Sequence, residues 1–347
     1  MHVTLLVPTI HDRPTGGNIY NRRIITEFSD EAATVIEWSG RASSPSLHDD
    51  PVLLVDSLLL CHDASLRSLR DAHPRASFIL LAHYLHCIDP NEQSTDAAER
   101  ERALLPLFHG AVTTSTFARQ ALMDEGMPRA QVHAVPPGLD EAYRAPSPDR
   151  DHSSSANLLT VANLLPGKGL LDFVDVLGAL DDADWHWTLV GDDTLDPDFA
   201  AALRPRIRDA GIADRVTITG PLPPSELRVQ YDHADVFVLP SRFETCSMAT
   251  REAMARGLPV VGYAVGGMPD NFGDVQAGRL VSPDEPGGLA EALRPLLANP
   301  AMRVRMGQAA RTRSQSFPTW AEAGAQFHSA LQAMRTPEKG TDENGRS

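Results

Sequence analysis

Short apolar runs alternate with longer amphipathic stretches along the chain, and the alternation occurs twice. In the first half the runs fall at 3–7, 35–38, 52–55, 78–81, 111–114 and 132–135, rich in Val, Leu, Ile and Ala. Continuous apolar runs of this length suit strands buried on both faces, and the intervals between them are long enough for helices, which predicts a parallel α/β domain. Runs at 158–162, 187–190, 216–219, 236–239 and 260–263 predict a second domain of the same kind. Between the two sets lies A-P-S-P-D-R-D-H-S-S-S, polar, proline-containing and without periodicity. It reads as a linker. The expected division is therefore a first domain at 1–145, a linker at 146–155 and a second domain at 156–316. Trp320, Phe327, Leu331 and Met334 then fall at helical spacing, which predicts a last helix at about 317–335, and the polar tail 336–347 is expected to be disordered.

Composition narrows the classes. A chain of 347 residues with 42% apolar content can supply two cores of ordinary size. A formal charge of −15 disfavours a nucleic-acid partner, because neutralising phosphates needs clustered Lys and Arg. The three cysteines, Cys61, Cys87 and Cys246, are scattered and odd in number, which predicts reduced thiols and a cytoplasmic protein. The opening segment 1–7 has no basic leader and no cleavage pattern, and no apolar run approaches the roughly 20 residues of a membrane span. Any membrane contact is expected to be peripheral at most.

The densest chemistry lies at 240–261, P-S-R-F-E-T-C-S-M-A-T-R-E-A-M-A-R-G-L-P-V-V. Here a strand runs into a loop at its carboxyl end and then into a helix that stops at Gly257. Ligands of open α/β sheets collect at such loops, and the free amides of the helix's first turn, around Cys246, Ser247 and Met248, suit a diphosphate. Glu244 sits in the loop and Glu252 inside the helix. Ionised carboxylates only accept hydrogen bonds, so sugar and ribose hydroxyls are their natural partners.

These residues resemble the retaining glycosyltransferases of family 4, whose P-S-x-x-E…E-A-M-A-x-G-x-P-V-V segment carries a Glu-x7-Glu motif. The match continues through V-G-G-M-P-D at 265–270. The resemblance implies the GT-B fold, two doubly wound Rossmann-like domains facing across a cleft, with the last helix crossing back onto the first domain. It also implies contact of Glu244 with the transferred sugar and of Glu252 with the ribose.

A second segment, T-V-A-N-L-L-P-G-K-G at 160–169, ends a strand and opens a helix. Lys168 is one of only two lysines among 31 basic residues, the other being Lys339 in the tail. An ammonium flanked by glycines at a helix start suits phosphate. The resemblance assigns Lys168 to the donor phosphates. It departs at Asn163, where the family most often carries arginine; Arg242 is the candidate to replace that charge. Gly16 and Gly17, after the opening strand, are expected to turn amides toward the diphosphate. Gly191 and Leu222 end two further strands on the donor side and are expected to line the base pocket, without choosing between uridine, guanosine and adenosine.

In the first domain His83 and His86 follow the strand at 78–81. Two histidines do not close a zinc site, and no matching ligand cluster follows, so no metal is expected. The resemblance places His83 near the transferred sugar and acceptor, with His86 in reserve. His83, Lys168 and Glu244 are thus the candidate catalytic residues. The expected reaction is metal-independent, front-face transfer of a hexose-type sugar, with retention, from a nucleotide diphosphate sugar to an acceptor hydroxyl of unknown class. No cofactor is expected beyond the donor itself. An inverting transferase using His83 as base, a sugar-nucleotide epimerase and a non-catalytic sugar-nucleotide-binding protein remain as alternatives.

Overall fold

The computed structural model describes residues 2–10, 12–28, 33–40, 52–145 and 155–334. The linker expected at 146–155 lies, apart from Ser155, outside the described residues, as does the tail expected at 336–347. Strands β1 (Val3–Val7), β2 (Ala33–Glu37), β3 (Val52–Asp56), β4 (Ser77–Ala82), β5 (Gly110–Thr113) and β6 (Val132–Ala134) form one sheet in the order β2-β1-β3-β4-β5-β6. Strands β7 (Ala156–Val161), β8 (Trp185–Val190), β9 (Val216–Gly220), β10 (Val236–Leu239), β11 (Val260–Tyr263) and β12 (Gly278–Val281) form the second, in the order β12-β11-β10-β7-β8-β9. Every pairing is parallel.

Strands β1, β3 and β10 are buried along their whole length, as strands covered on both faces require. The edges behave differently. Strand β2 runs two residues earlier than the pattern predicts and leaves Val35 44% exposed. Strand β12, Gly-Arg-Leu-Val, was not expected from the pattern, because an edge strand needs only one covered face and tolerates the exposed Arg279.

Each sheet is covered on both sides. Phe78, Leu80, Leu104 and Leu122 belong to the cluster on one face of the first sheet, and Val3, Leu5, Tyr20 and Val112 to the cluster on the other. The helix Trp320–Met334 follows the second sheet in sequence yet buries Trp320, Phe327, Leu331 and Met334 in that last cluster. Its approach is fixed by the Leu139 amide donating to the Pro318 carbonyl at 2.8 Å and by the edge-on contact of Tyr20 with Trp320 at 6.0 Å. Among the described residues no helix is long and apolar enough to cross a membrane.

The strand orders decide where chemistry can sit. Strand β1 lies between β2 and β3, and β7 between β8 and β10, so in each sheet the chain reverses its direction of travel beside the first strand. Loops on either side of such a reversal diverge and leave a crevice at the carboxyl ends of the strands.

Candidate active site

In the second sheet that crevice lies between the loops after β7 and after β10, which hold Lys168 and Glu244. After β7 the chain makes one 3-10 turn, Pro166–Lys168, and reaches Gly169 at φ +65°, from which the helix Leu170–Gly178 departs. The left-handed backbone and a close approach both require glycine there, since a Cβ would run into the Pro240 carbonyl oxygen. The two loops therefore touch through backbone, and Lys168 Nζ reaches Glu244 Oε1 at 2.7 Å. The pair is mostly shielded, with 28% and 11% of the two side chains exposed.

The loop after β10 ends in Ser247, whose φ of 61° is the one positive value at a non-glycine among the described residues. Its hydroxyl accepts from the Thr250 amide at 3.3 Å and so caps the helix Met248–Ala255. A non-glycine held in this region costs about 1–3 kcal/mol and persists only where surrounding contacts impose it. Those contacts are visible. The Cys246 carbonyl accepts from Asn271 Nδ2 at 2.6 Å, and Asn271 Oδ1 in turn accepts from buried Arg251 at 2.9 Å. Burial pushes the Cys246 thiol above its usual range, so it stays protonated. Glu252 lies on the same helix, and Tyr231 donates to its Oε2 at 2.8 Å. Burial raises the Glu252 carboxyl to about 7, although the Tyr231 hydrogen bond pulls it down.

The first half of the molecule closes on this loop. Phe243 is 8% exposed and packs edge-on against Tyr84 and Phe117, each at 5.9 Å, inside the first sheet's cluster. Met248 packs on the opposite cluster of the same sheet. Thr245 donates to the His83 carbonyl at 2.6 Å, and the Asp270 carboxylate accepts from Thr116 Oγ1 at 2.6 Å and from the Thr116 and Phe117 amides at 3.0 and 3.2 Å. Asp270 thereby caps the helix Thr116–Asp124 from the other half of the chain.

His83 is thus brought beside the Glu244 loop. Its Nε2 contacts Asn21 Oδ1 at 2.7 Å, and Asn21 Nδ2 donates to Asp56 Oδ2 at 2.6 Å. Because an amide oxygen only accepts, this relay puts the proton of neutral His83 on Nε2. Burial lowers the His83 pKa, against the opposing charge of Asp56, so the ring is neutral near pH 7. A Cβ on Gly17 would stand 3.0 Å from that ring, so the closeness of the two segments explains this glycine. Gly16, in the first turn of the helix Gly16–Ile25, has open space beside it. His86 turns elsewhere and meets buried Glu101 at 2.8 Å. Among the described residues no group of three or more His, Cys, Asp or Glu could hold a metal ion.

Gly191 and Leu222 stand past the ends of β8 and β9, where the Gly191 amide donates to the Gly220 carbonyl at 3.2 Å. Asn163 is engaged rather than free. Its Oδ1 accepts from the Asp192 amide at 3.1 Å, and its Nδ2 approaches the Pro14 carbonyl at 3.5 Å. Arg242 does not replace a charge at 163, because it is held by Asp172, with Nε at 3.1 Å and Nη2 at 2.5 Å. The guanidinium nearest in the hydrogen-bond network is Arg13, from the loop after β1, which pairs with Asp192 at 3.1 Å. Sequence reasoning missed Arg13, Asn21 and Asp56, since no local motif marks them.

Residues 150–313, which include both loops, match the family model described as glycosyl transferases group 1. These residues are a group 1 glycosyl transferase domain. The chain is similar to the D-inositol 3-phosphate glycosyltransferase of Kineococcus radiotolerans, 33% identical over 260 residues, covering 67% of this chain and 59% of the relative. It is also similar to that of Corynebacterium glutamicum, 31% identical over 213 residues, covering 57% and 51%. The chain spans about half the length of the Corynebacterium glutamicum relative. Among solved structures, Anabaena HepE in complex with UDP and glucose superposes with a TM-score of 0.78 at 16% identity, covering 96% of this chain and 99% of that one. Sucrose-phosphate synthase from Thermosynechococcus elongatus gives 0.76 at 20% identity, covering 96% and 98%. The fold of the chain is GT-B.

Proposed function

We propose that the chain transfers a hexose-type sugar, with retention and without a metal, from a nucleotide diphosphate sugar to an acceptor hydroxyl. The observation that carries this reading is the Lys168–Glu244 pair at 2.7 Å, spanning the strand reversal of the second sheet one turn before a helix that holds Glu252. In this reading the diphosphate takes Lys168 from Glu244, whose carboxylate then accepts from hydroxyls of the transferred sugar. Glu252 accepts from the ribose. The acceptor oxygen forms its bond to the anomeric carbon on the face from which the diphosphate departs. The bond from that carbon to the diphosphate oxygen breaks with its electron pair, and the departing diphosphate takes the acceptor proton. Lys168 and the amides around Cys246, Ser247 and Met248 stabilise the charge that develops on the leaving group. His83, neutral and fixed through Nε2 by Asn21, orients the sugar or acceptor instead of carrying charge. The named likeness to a protein solved with UDP and glucose supports a donor of this class.

The test is calorimetric titration with UDP, GDP and ADP in the presence of a chelator, followed by turnover with the conjugates of whichever base binds and determination of the product's anomeric configuration by NMR. One base is expected to bind and the product to keep the donor's configuration. An inverted product overturns the mechanism, and binding without turnover across acceptor classes supports a binding protein instead.

A further inference from the structure

Arg13 crosses from one half of the molecule to the other with a geometry that a simple latch does not need. Its backbone is fixed: Asn18, 1% exposed, donates through Nδ2 to the carbonyls of Ile10 at 2.8 Å and Arg13 at 3.1 Å. Thr15 then caps the helix that follows by accepting from the Asn18 amide at 3.2 Å. The loop thus aims one guanidinium at the strand ends of the second sheet, where it meets Asp192 and Thr194. Only Nη1 makes these contacts. Among the described residues Nε and Nη2 have no partner, and the side chain is 40% exposed.

Asp192, by contrast, does not depend on Arg13. Its Oδ1 already accepts from the Thr194 amide at 2.8 Å and from Thr194 Oγ1 at 2.7 Å, which leaves Oδ2 for the guanidinium. Its carboxyl is held below the usual range although burial pushes it up, because Thr194 and then Arg13 stabilise the charge. The arrangement parallels Lys168 on Glu244: in each case a cation at the strand ends of the second sheet rests on a carboxylate, and one of the two cations is lent by the first sheet.

We propose that Arg13 is a diphosphate-binding residue that leaves Asp192 Oδ2 to grip the donor's phosphate oxygens, so that the charge of the leaving group is met from both halves of the chain. The proposal rests on the donor-site reading above. A planar fork with Nε and Nη2 unengaged matches two phosphate oxygens in a bidentate contact, which a lysine at this position would not reproduce. It also couples ligand to closure, because the diphosphate bridges Lys168 of the second half and Arg13 of the first.

The test is titration of the full chain with UDP, GDP and ADP and with the matching monophosphates, using wild type, Arg13→Ala, Arg13→Lys and Asp192→Asn. For whichever diphosphate the wild type binds, Arg13→Ala is expected to weaken affinity about 10- to 100-fold, the range of a charge-assisted hydrogen bond, with a smaller loss for the monophosphate. Arg13→Lys recovers part of the loss, and Asp192→Asn tightens binding by removing the competing carboxylate. If Asp192→Asn weakens binding as much as Arg13→Ala, Arg13 is only a latch and the proposal falls. Wild-type binding that Arg13→Ala leaves within about twofold also overturns it. A wild type that binds none of the three diphosphates overturns the donor-site reading, and the role of Arg13 with it.

Discussion

The two walls of the candidate site are built in opposite ways. The wall from the second sheet is nearly one continuous segment: Phe243, Glu244, Thr245, Cys246, Ser247 and Glu252 follow each other within a loop and the helix it enters, with Lys168 added from the neighbouring loop. The wall from the first sheet is assembled from separate places, with Arg13 after β1, Gly17 and Asn21 on the next helix, Asp56 at the end of β3 and His83 after β4. A contiguous wall fixes its internal geometry through local backbone, such as the strained Ser247 and the glycine at 169. A dispersed wall depends on the sheet to hold its pieces in register. The first arrangement suits groups that must keep exact spacing, and the second suits a surface that can vary residue by residue.

Removing charge from the contiguous wall tests this contrast most severely. Glu244→Ala and Lys168→Ala are each expected to lower kcat about 100- to 1000-fold, as loss of one preorganised electrostatic contact does, while the melting transition remains cooperative. Near-normal turnover in either would break the assignment of the chemistry to this wall. Next in size is the joint between the walls. Phe243→Ala takes a ring out of the first sheet's cluster and is expected to cost about 3 kcal/mol, read as a lower denaturant midpoint together with a larger radius of gyration in small-angle scattering. An unchanged radius would mean that the walls are held together without it.

A smaller effect is expected from pH. The Glu252 carboxyl moves from an ordinary 4.5 to about 7 in the folded chain, chiefly through burial. Its contribution to stability is therefore complete below about pH 4.5 and disappears as pH rises through about 7. Wild type should lose melting temperature across this window relative to Glu252→Gln, which cannot ionise; parallel curves would show that the site is wetter than its packing indicates. Smallest is Asp270→Ala, which leaves the Ser115 cap of the helix Thr116–Asp124 but strips its first-turn Thr116 and Phe117 amides of their acceptor from across the joint, and should cost about 1 kcal/mol in chemical denaturation.

The same contrast explains what the sequence reveals. Strand β10 is legible because both its faces are buried and every position is apolar, whereas β12 escapes because an edge strand with one exposed face has no such signature. Glu244, Glu252 and Lys168 are legible because strand, loop and helix succeed one another locally around them. Arg13 and Asp192 are 179 residues apart and Asn21 and Asp56 are 35 apart, so no spacing along the chain encodes those contacts. For the same reason Arg242 is a poor substitute for a charge at 163: its neighbour in sequence is the motif, but its partner in space is Asp172.

Phe243 precedes Glu244 in the loop, so parting the loop as a unit from Tyr84 and Phe117 carries the carboxylate away with the ring. Burying a phenylalanine is worth about 1.5–3 kcal/mol, so this ring alone restricts the parted form to roughly one molecule in ten to one in a hundred and fifty. In the transfer proposed above, donor entry and nucleotide release draw on that minority. In that reading the frequency with which this joint parts bounds turnover, however fast the bond exchange beneath it.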